Sequence, residues 1–131
     1  MILRHAFAAA VAIAFAAPAF ASDPIVGLWR TNQYENGDSG LINIEPCGSK
    51  ICGTLVETFK PSGQSFASKN IGRQIITETT ASGGGTYEGK IYAPGADQTF
   101  VSRLELSGDT LSVYGCKLGI CRSGGTWTRV E

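Results

Sequence analysis

The stretch Phe100-Val-Ser-Arg-Leu-Glu-Leu-Ser107 alternates apolar and polar side chains, and that period of two dominates the chain beyond Pro24. In it Phe100, Leu104 and Leu106 share one face, with Val101, Arg103 and Glu105 on the other. The same alternation runs through "IVGLWRT", "LINIEP", "KIYA" and "LSVY". Turn residues interrupt it at short intervals: Asn36-Gly37, "SGGGT", "PGADQ" and "SGD". Asn36-Gly37 is expected to form a tight two-residue I′ turn, which needs positive φ at both central positions. The pattern predicts about eight strands, near 25–33, 39–47, 51–59, 73–79, 86–92, 99–106, 110–117 and 120–130. Lys60 to Gly72 is polar and aperiodic, and is expected to be a long loop with room for one helical turn. Short strands in meander order must hide their edges, which favours a closed antiparallel barrel. A β-sandwich fits the same periodicity and is the alternative.

The N-terminus bears on the compartment. Arg4 precedes the apolar run "AFAAAVAIAFAAP", and Ala19-Phe20-Ala21 places small residues at −3 and −1 of a cleavage site. This is the pattern of a secretory signal peptide over residues 1–21, leaving residues 22–131 as one domain in the periplasm or outside the cell. The run is short and Ala-rich for a membrane anchor, and no cysteine follows the cut to carry a lipid. Loss of Arg4 from 11 basic and 11 acidic residues leaves one excess negative charge, with no basic footprint for nucleic acid. Loss of His5 removes the only histidine. Ser-His-Asp and Cys-His catalysis are then excluded, as is any zinc site other than an all-Cys or carboxylate one.

Four cysteines stand in two equally spaced pairs, Cys47/Cys52 and Cys116/Cys121. Exported thiols pair. With turns at Ser49-Lys50 and Leu118-Gly119, each pair faces itself across a hairpin, at the closely approaching positions. Each local bridge closes six residues, for about 2 kcal/mol, whereas pairing across the chain closes about 70 residues for about 4 kcal/mol. Loop entropy therefore favours the long-range alternative. Hairpin register and the identical spacing favour Cys47–Cys52 and Cys116–Cys121, the pairing adopted. A zinc knuckle has this spacing only at the edge of its range, and a redox C-x-x-C before a helix is missing.

Gly27-Leu28-Trp29 opens the domain and Trp127-Thr128-Arg129 closes it. An indole fills wide space at a barrel end, and a guanidinium over its face gains cation–π energy. Either Trp29 or Trp127 qualifies as Arg129's partner, and two unrelated core tryptophans are the plainer reading. The arrangement resembles the closed end of lipocalin-type barrels. "GLWRT", "IEPCGSKICGTLVE", "YEGKIYAPGADQTFVSRLELSGDTLSVYGCKLGIC" and "TWTRV" together resemble the secreted bacterial domain-of-unknown-function family 2147. Gly89-Lys90-Ile91-Tyr92, Pro94, Phe100 and "GDTLSVYGC" are the most specific pieces. That resemblance implies a small exported lipocalin-like barrel and brings no catalytic residues with it. The Thr-Asp-Tyr motif of lipocalins proper does not occur in the sequence.

Other motifs fall short. "GGGTYEG" misses a phosphate loop by one residue and no helix follows. "NQYENGDSGLINIE" places Tyr34 and Asn43 where a calcium loop needs ligand oxygens. Glu45, Glu57, Glu78, Glu88 and Glu105 sit in strands whose alternate positions are apolar, so they read as outward and solvated, as do Arg73, Arg103 and Arg122. The expected protein is non-enzymatic, without cofactor, metal, nucleic-acid partner or membrane anchor. It is expected to bind a small apolar molecule inside the barrel, against Phe100, Leu104, Leu106, Leu111 and Val113, because eight strands leave an interior just filled or able to hold one small ligand. The alternative is a protein-interaction module, an inhibitor or envelope partner, acting through the loop 60–72.

Overall fold

The computed structural model describes residues 23–131. The segment read as a signal peptide, with His5, lies outside the described residues.

Nine strands follow in order: β1 Gly27–Arg30, β2 Ser39–Cys47, β3 Lys50–Phe59, β4 Ser65–Phe66, β5 Gln74–Gly83, β6 Thr86–Ala93, β7 Gln98–Ser107, β8 Thr110–Lys117 and β9 Ile120–Arg129. All pairings are antiparallel, β1 bonds both β2 and β9, and β2 bonds β3, so eight strands close on themselves with β4 appended to β3. Closure removes the edges that a meander otherwise exposes. Inward residues make one apolar core: Trp29, Ile42, Ile44, Ile76, Leu104 and Leu111 are fully buried, with Val113 and Trp127 beside them. Burial of a side chain of this size contributes about 1.5–3 kcal/mol, and the alternation supplies such residues where it is most regular, as Ile42 and Ile44 on β2 and Leu111 and Val113 on β8. Among the described residues no helix is long and apolar enough to cross a membrane.

Both disulfides form locally, Cys47–Cys52 and Cys116–Cys121. At the second hairpin Leu118 and Gly119 both have positive φ, and Cys116 faces Cys121 with Cα atoms 4.0 Å apart. The first differs from expectation. Its turn is Gly48-Ser49, with Cys47 opposite Lys50 and Cys52 opposite Glu45, so the bridge runs diagonally over 5.5 Å between Cα atoms. Gly48, at φ 64°, supplies the conformation that Ser49-Lys50 lacks.

Two further expectations need correction. Asn36 does not have positive φ; only Gly37 does. The loop is closed wider, by Tyr34 N–H to the Asp38 carbonyl (2.7 Å), and Gly37 N–H bonds the Tyr34 carbonyl (2.8 Å). The loop after Lys60 holds the short strand β4, paired with Thr58 and Phe59, rather than a helical turn. β1 is also shorter than its alternation implies, and β5 runs on to Gly83.

Candidate functional site

The two ends of the barrel differ. At the end where β1 begins and β9 finishes, the Trp29 indole is fully buried and donates its Nε1–H to the Ile25 carbonyl at 2.8 Å. The Arg129 guanidinium lies 4.4 Å above the Trp29 ring. It donates to the carbonyls of Val26 (3.0 Å) and Pro24 and to Asp109 Oδ1 (3.1 Å). A Cβ on Gly27 would run into that guanidinium and the Glu131 carbonyl, which is why Gly-x-Trp stands here. Trp127 is buried but carries no cation over its face among the described residues. This end is sealed.

Tyr87 ties down the segment 23–26 that precedes β1. Its hydroxyl donates to Asp23 Oδ1 at 2.6 Å, and the same oxygen accepts the Ile25 N–H at 3.0 Å. Burial, then the hydrogen bond to the Asp23 carboxylate, hold the phenol well above the ordinary tyrosine range. A raised folded-state pKa means stability that is whole below about pH 10, the unfolded value, and is lost as pH climbs beyond it. Alkaline thermal melts check this: the wild type should lose stability steeply above about pH 10, and Tyr87→Phe should flatten that loss while starting from a lower melting temperature. Equal slopes would refute the assignment.

On the inner wall Leu104, Leu111 and Val113 are packed into the core against the tryptophans, so they form its body. Phe100 and Leu106 are only partly buried, Phe100 toward the end where β7 begins, away from the Trp29–Arg129 seal, and Leu106 toward the sealed end. Between Phe100 and Leu104, Ser102 faces the same interior; it is 1 % exposed, and its Oγ has no hydrogen-bond partner. Asn32, leading out of β1, packs against Gly125 of β9, whose missing side chain makes the room, and its Oδ1 is likewise buried and unpartnered. Gly115 lies under Phe100, with 3.5 Å between the Phe100 Cβ and a Cβ placed on the glycine.

Reading the sequence by its apolar residues missed these polar positions. For Ser102 the signal was present, a hydroxyl in phase with Phe100 and Leu104. Arg122 is a correction. A register shift between Val113 and Tyr114 sets Arg122 opposite Gly115, on the inward-facing parity at the open mouth, with its side chain still exposed.

The strand glutamates lie on the outer wall. Glu78 meets Lys90 at 2.8 Å, Glu105 meets Arg103 at 3.3 Å, and Glu57 accepts from Ser65 at 2.8 Å. The hydrogen bond to Lys90 lowers the Glu78 pKa, which suits a solvated carboxylate. Glu45 and Glu88 are exposed. Among the described residues no three His, Cys, Asp or Glu side chains cluster as a metal site.

Comparison places this barrel among known proteins. The chain is similar in fold to "Protein HP1028 from the human pathogen Helicobacter pylori belongs to the lipocalin family", with a TM-score of 0.64, 15% identity, and 81% of this chain and 82% of that one covered. At that identity the likeness shows the fold alone. No curated protein matches the sequence. The family model described as "Uncharacterized protein conserved in bacteria (DUF2147)" matches residues 27–129, nearly the whole barrel from Gly27 to Arg129, and the chain belongs to that family.

Proposed function

We propose that the protein is an exported, non-enzymatic carrier that takes a small amphipathic molecule into the open half of its barrel. The observation that carries this reading is that two of the buried polar atoms without a hydrogen-bond partner are Ser102 Oγ, in phase with Phe100 and Leu104, and Asn32 Oδ1, over Gly125. An unsatisfied buried polar group costs about 1–3 kcal/mol, and a ligand supplying the missing partner removes that cost. Phe100 gives an apolar wall, and Arg122, on the inward-facing parity near it, suits an acidic headgroup. The sealed end sets a floor of Trp29, Leu104, Leu111 and Val113. Export is supported by the signal-like N-terminus and by the paired cysteines, which persist in oxidising compartments. The lipocalin-like neighbour supports a carrier by analogy of fold.

Native mass spectrometry of the protein purified from a bacterial envelope, with an amphipathic fluorescent fatty acid as competitor, tests it. A single small-molecule adduct displaced by the probe is expected, and Gly115→Val, which presses a branched side chain against Phe100, should abolish both signals while keeping the barrel's circular dichroism. A barrel that carries no adduct and shows no saturable probe binding overturns the proposal.

A further inference from the structure

At the open end, but outside the barrel wall, the loop 60–72 meets the β6–β7 hairpin across a cleft of about 340 Å³, lined by Lys69, Asn70, Arg73, Tyr92, Pro94 and Asp97. Its walls are fixed by main-chain bonds. Gly72 N–H donates to the Leu55 carbonyl (2.7 Å), Leu55 N–H to the Arg73 carbonyl (3.0 Å), and Arg73 N–H to the Asn70 carbonyl (3.0 Å). Across the cleft the hairpin turn is closed by Ala96 and Asp97 N–H groups bonding the Ala93 and Pro94 carbonyls. The loop is longer than a β3-to-β5 hairpin needs, and its last residues are held against the barrel.

Inside the cleft the Arg73 guanidinium carbon lies over Tyr92, 3.6 Å from the ring centre. The Tyr92 hydroxyl donates to Asp97 Oδ1 at 2.6 Å. Contact with the ring restrains Arg73, and a restrained guanidinium can grip a planar carboxylate through two N–H bonds. Neither Arg73 nor Lys69 forms an ion pair among the described residues. The cleft therefore offers two cations without a carboxylate ion-paired to them, and an Asn amide, beside the Asp97 carboxylate. Asp97 spends one oxygen on Tyr92 and keeps acceptor capacity on the other. A dianionic phosphate would face that carboxylate unfavourably. A carboxylic acid with a neighbouring hydroxyl or ammonium would satisfy both signs at once.

We infer that this cleft is a second binding site, for a small carboxylic acid bearing an adjacent hydrogen-bond donor, of the hydroxy-acid or amino-acid kind. The ligand carboxylate pairs with Arg73, Lys69 completes its charge, and the adjacent donor meets Asp97. The volume is at the low end of small-molecule sites, about 300–1,000 Å³, and suits a compact molecule. This site is independent of the barrel mouth.

Titration of the ¹⁵N-labelled protein with lactate, alanine and inorganic phosphate, followed by amide and Arg Nε–H shifts, tests the inference. Saturable shifts at Arg73, Tyr92 and Asp97 with lactate or alanine are expected, at least tenfold weaker with phosphate. Arg73→Gln should weaken binding at least tenfold, with Arg73→Lys intermediate, while the remaining spectrum stays superimposable. Absence of saturable shifts with both acids overturns the inference. So does binding untouched by Arg73→Gln, or phosphate binding as strong as that of the acids, which marks the cleft as an unselective cation patch.

Discussion

Replacing Trp29 by Ala is expected to cost about 3–5 kcal/mol, as for a large aromatic removed from a core that cannot collapse onto the void. Three contributions fall together. The fully buried indole leaves the apolar cluster, the Ile25 carbonyl loses the N–H that meets it at 2.8 Å, and Arg129 loses the ring it covers at 4.4 Å. Against a total stability of about 5–15 kcal/mol, that is a fifth or more. Trp29→Phe separates the terms: most of the area returns, the N–H donor does not, and the expected cost falls to about 1–3 kcal/mol. Arg129→Lys should cost less than Trp29→Ala, because a lysine keeps a cation near the ring but cannot span the carbonyls of Val26 and Pro24 together with Asp109. Urea denaturation followed by far-ultraviolet circular dichroism reads all three. A Trp29→Ala protein within 1 kcal/mol of wild type would show that the sealed end does not hold the barrel.

The strands were legible because a half-buried wall forces alternation, and windows such as 39–47, 110–117 and 120–130 match the observed elements to within a residue or so. Arg129 and Trp29 stand at opposite ends of the domain, and only the requirement that the first and last strands of a barrel pair brings them together. What escaped was set by single residues of backbone. Gly48 rather than Ser49-Lys50 chose the first turn and moved Cys52 off Cys47's register. The shift near Gly124 reversed the face of Arg122, and nothing in the alternation around it announces a bulge. The cleft at Arg73 escaped for another reason. Its partner Tyr92 is on the next strand and only partly buried against the core, Arg73 is exposed, and stacking between two such residues leaves no period to count.

Gly89→Ala tests the bulge that shapes the wall beside that cleft. Register on β5 and β6 runs from Thr77 opposite Lys90 to Thr80 opposite Glu88, so Glu78 and Thr79 together face Gly89. Glu78 takes φ 50° to make the extra residue fit. Its side chain goes outward to Lys90 at 2.8 Å, and Thr79, fully buried, is pushed over Gly89. A Cβ on Gly89 would lie 2.6 Å from the Thr79 Cα and 2.8 Å from the Thr77 carbonyl oxygen, besides overlapping the Thr79 hydroxyl. The first two are backbone atoms, so no rotamer change relieves the clash and the strand pair itself must part. Overpacking of this kind costs about 1–3 kcal/mol, and the rigid neighbours place Gly89→Ala at the upper part of that range. Gly95→Ala is the control, since a Cβ there meets nothing within 4 Å. Adding Thr79→Ala to Gly89→Ala removes only the hydroxyl overlap, so it should recover little of the loss. Thermal melts of the three proteins decide the matter. If Gly89→Ala melts with Gly95→Ala, or if Thr79→Ala restores it fully, the constraint is the threonine side chain or nothing, and the bulge does not require glycine opposite it.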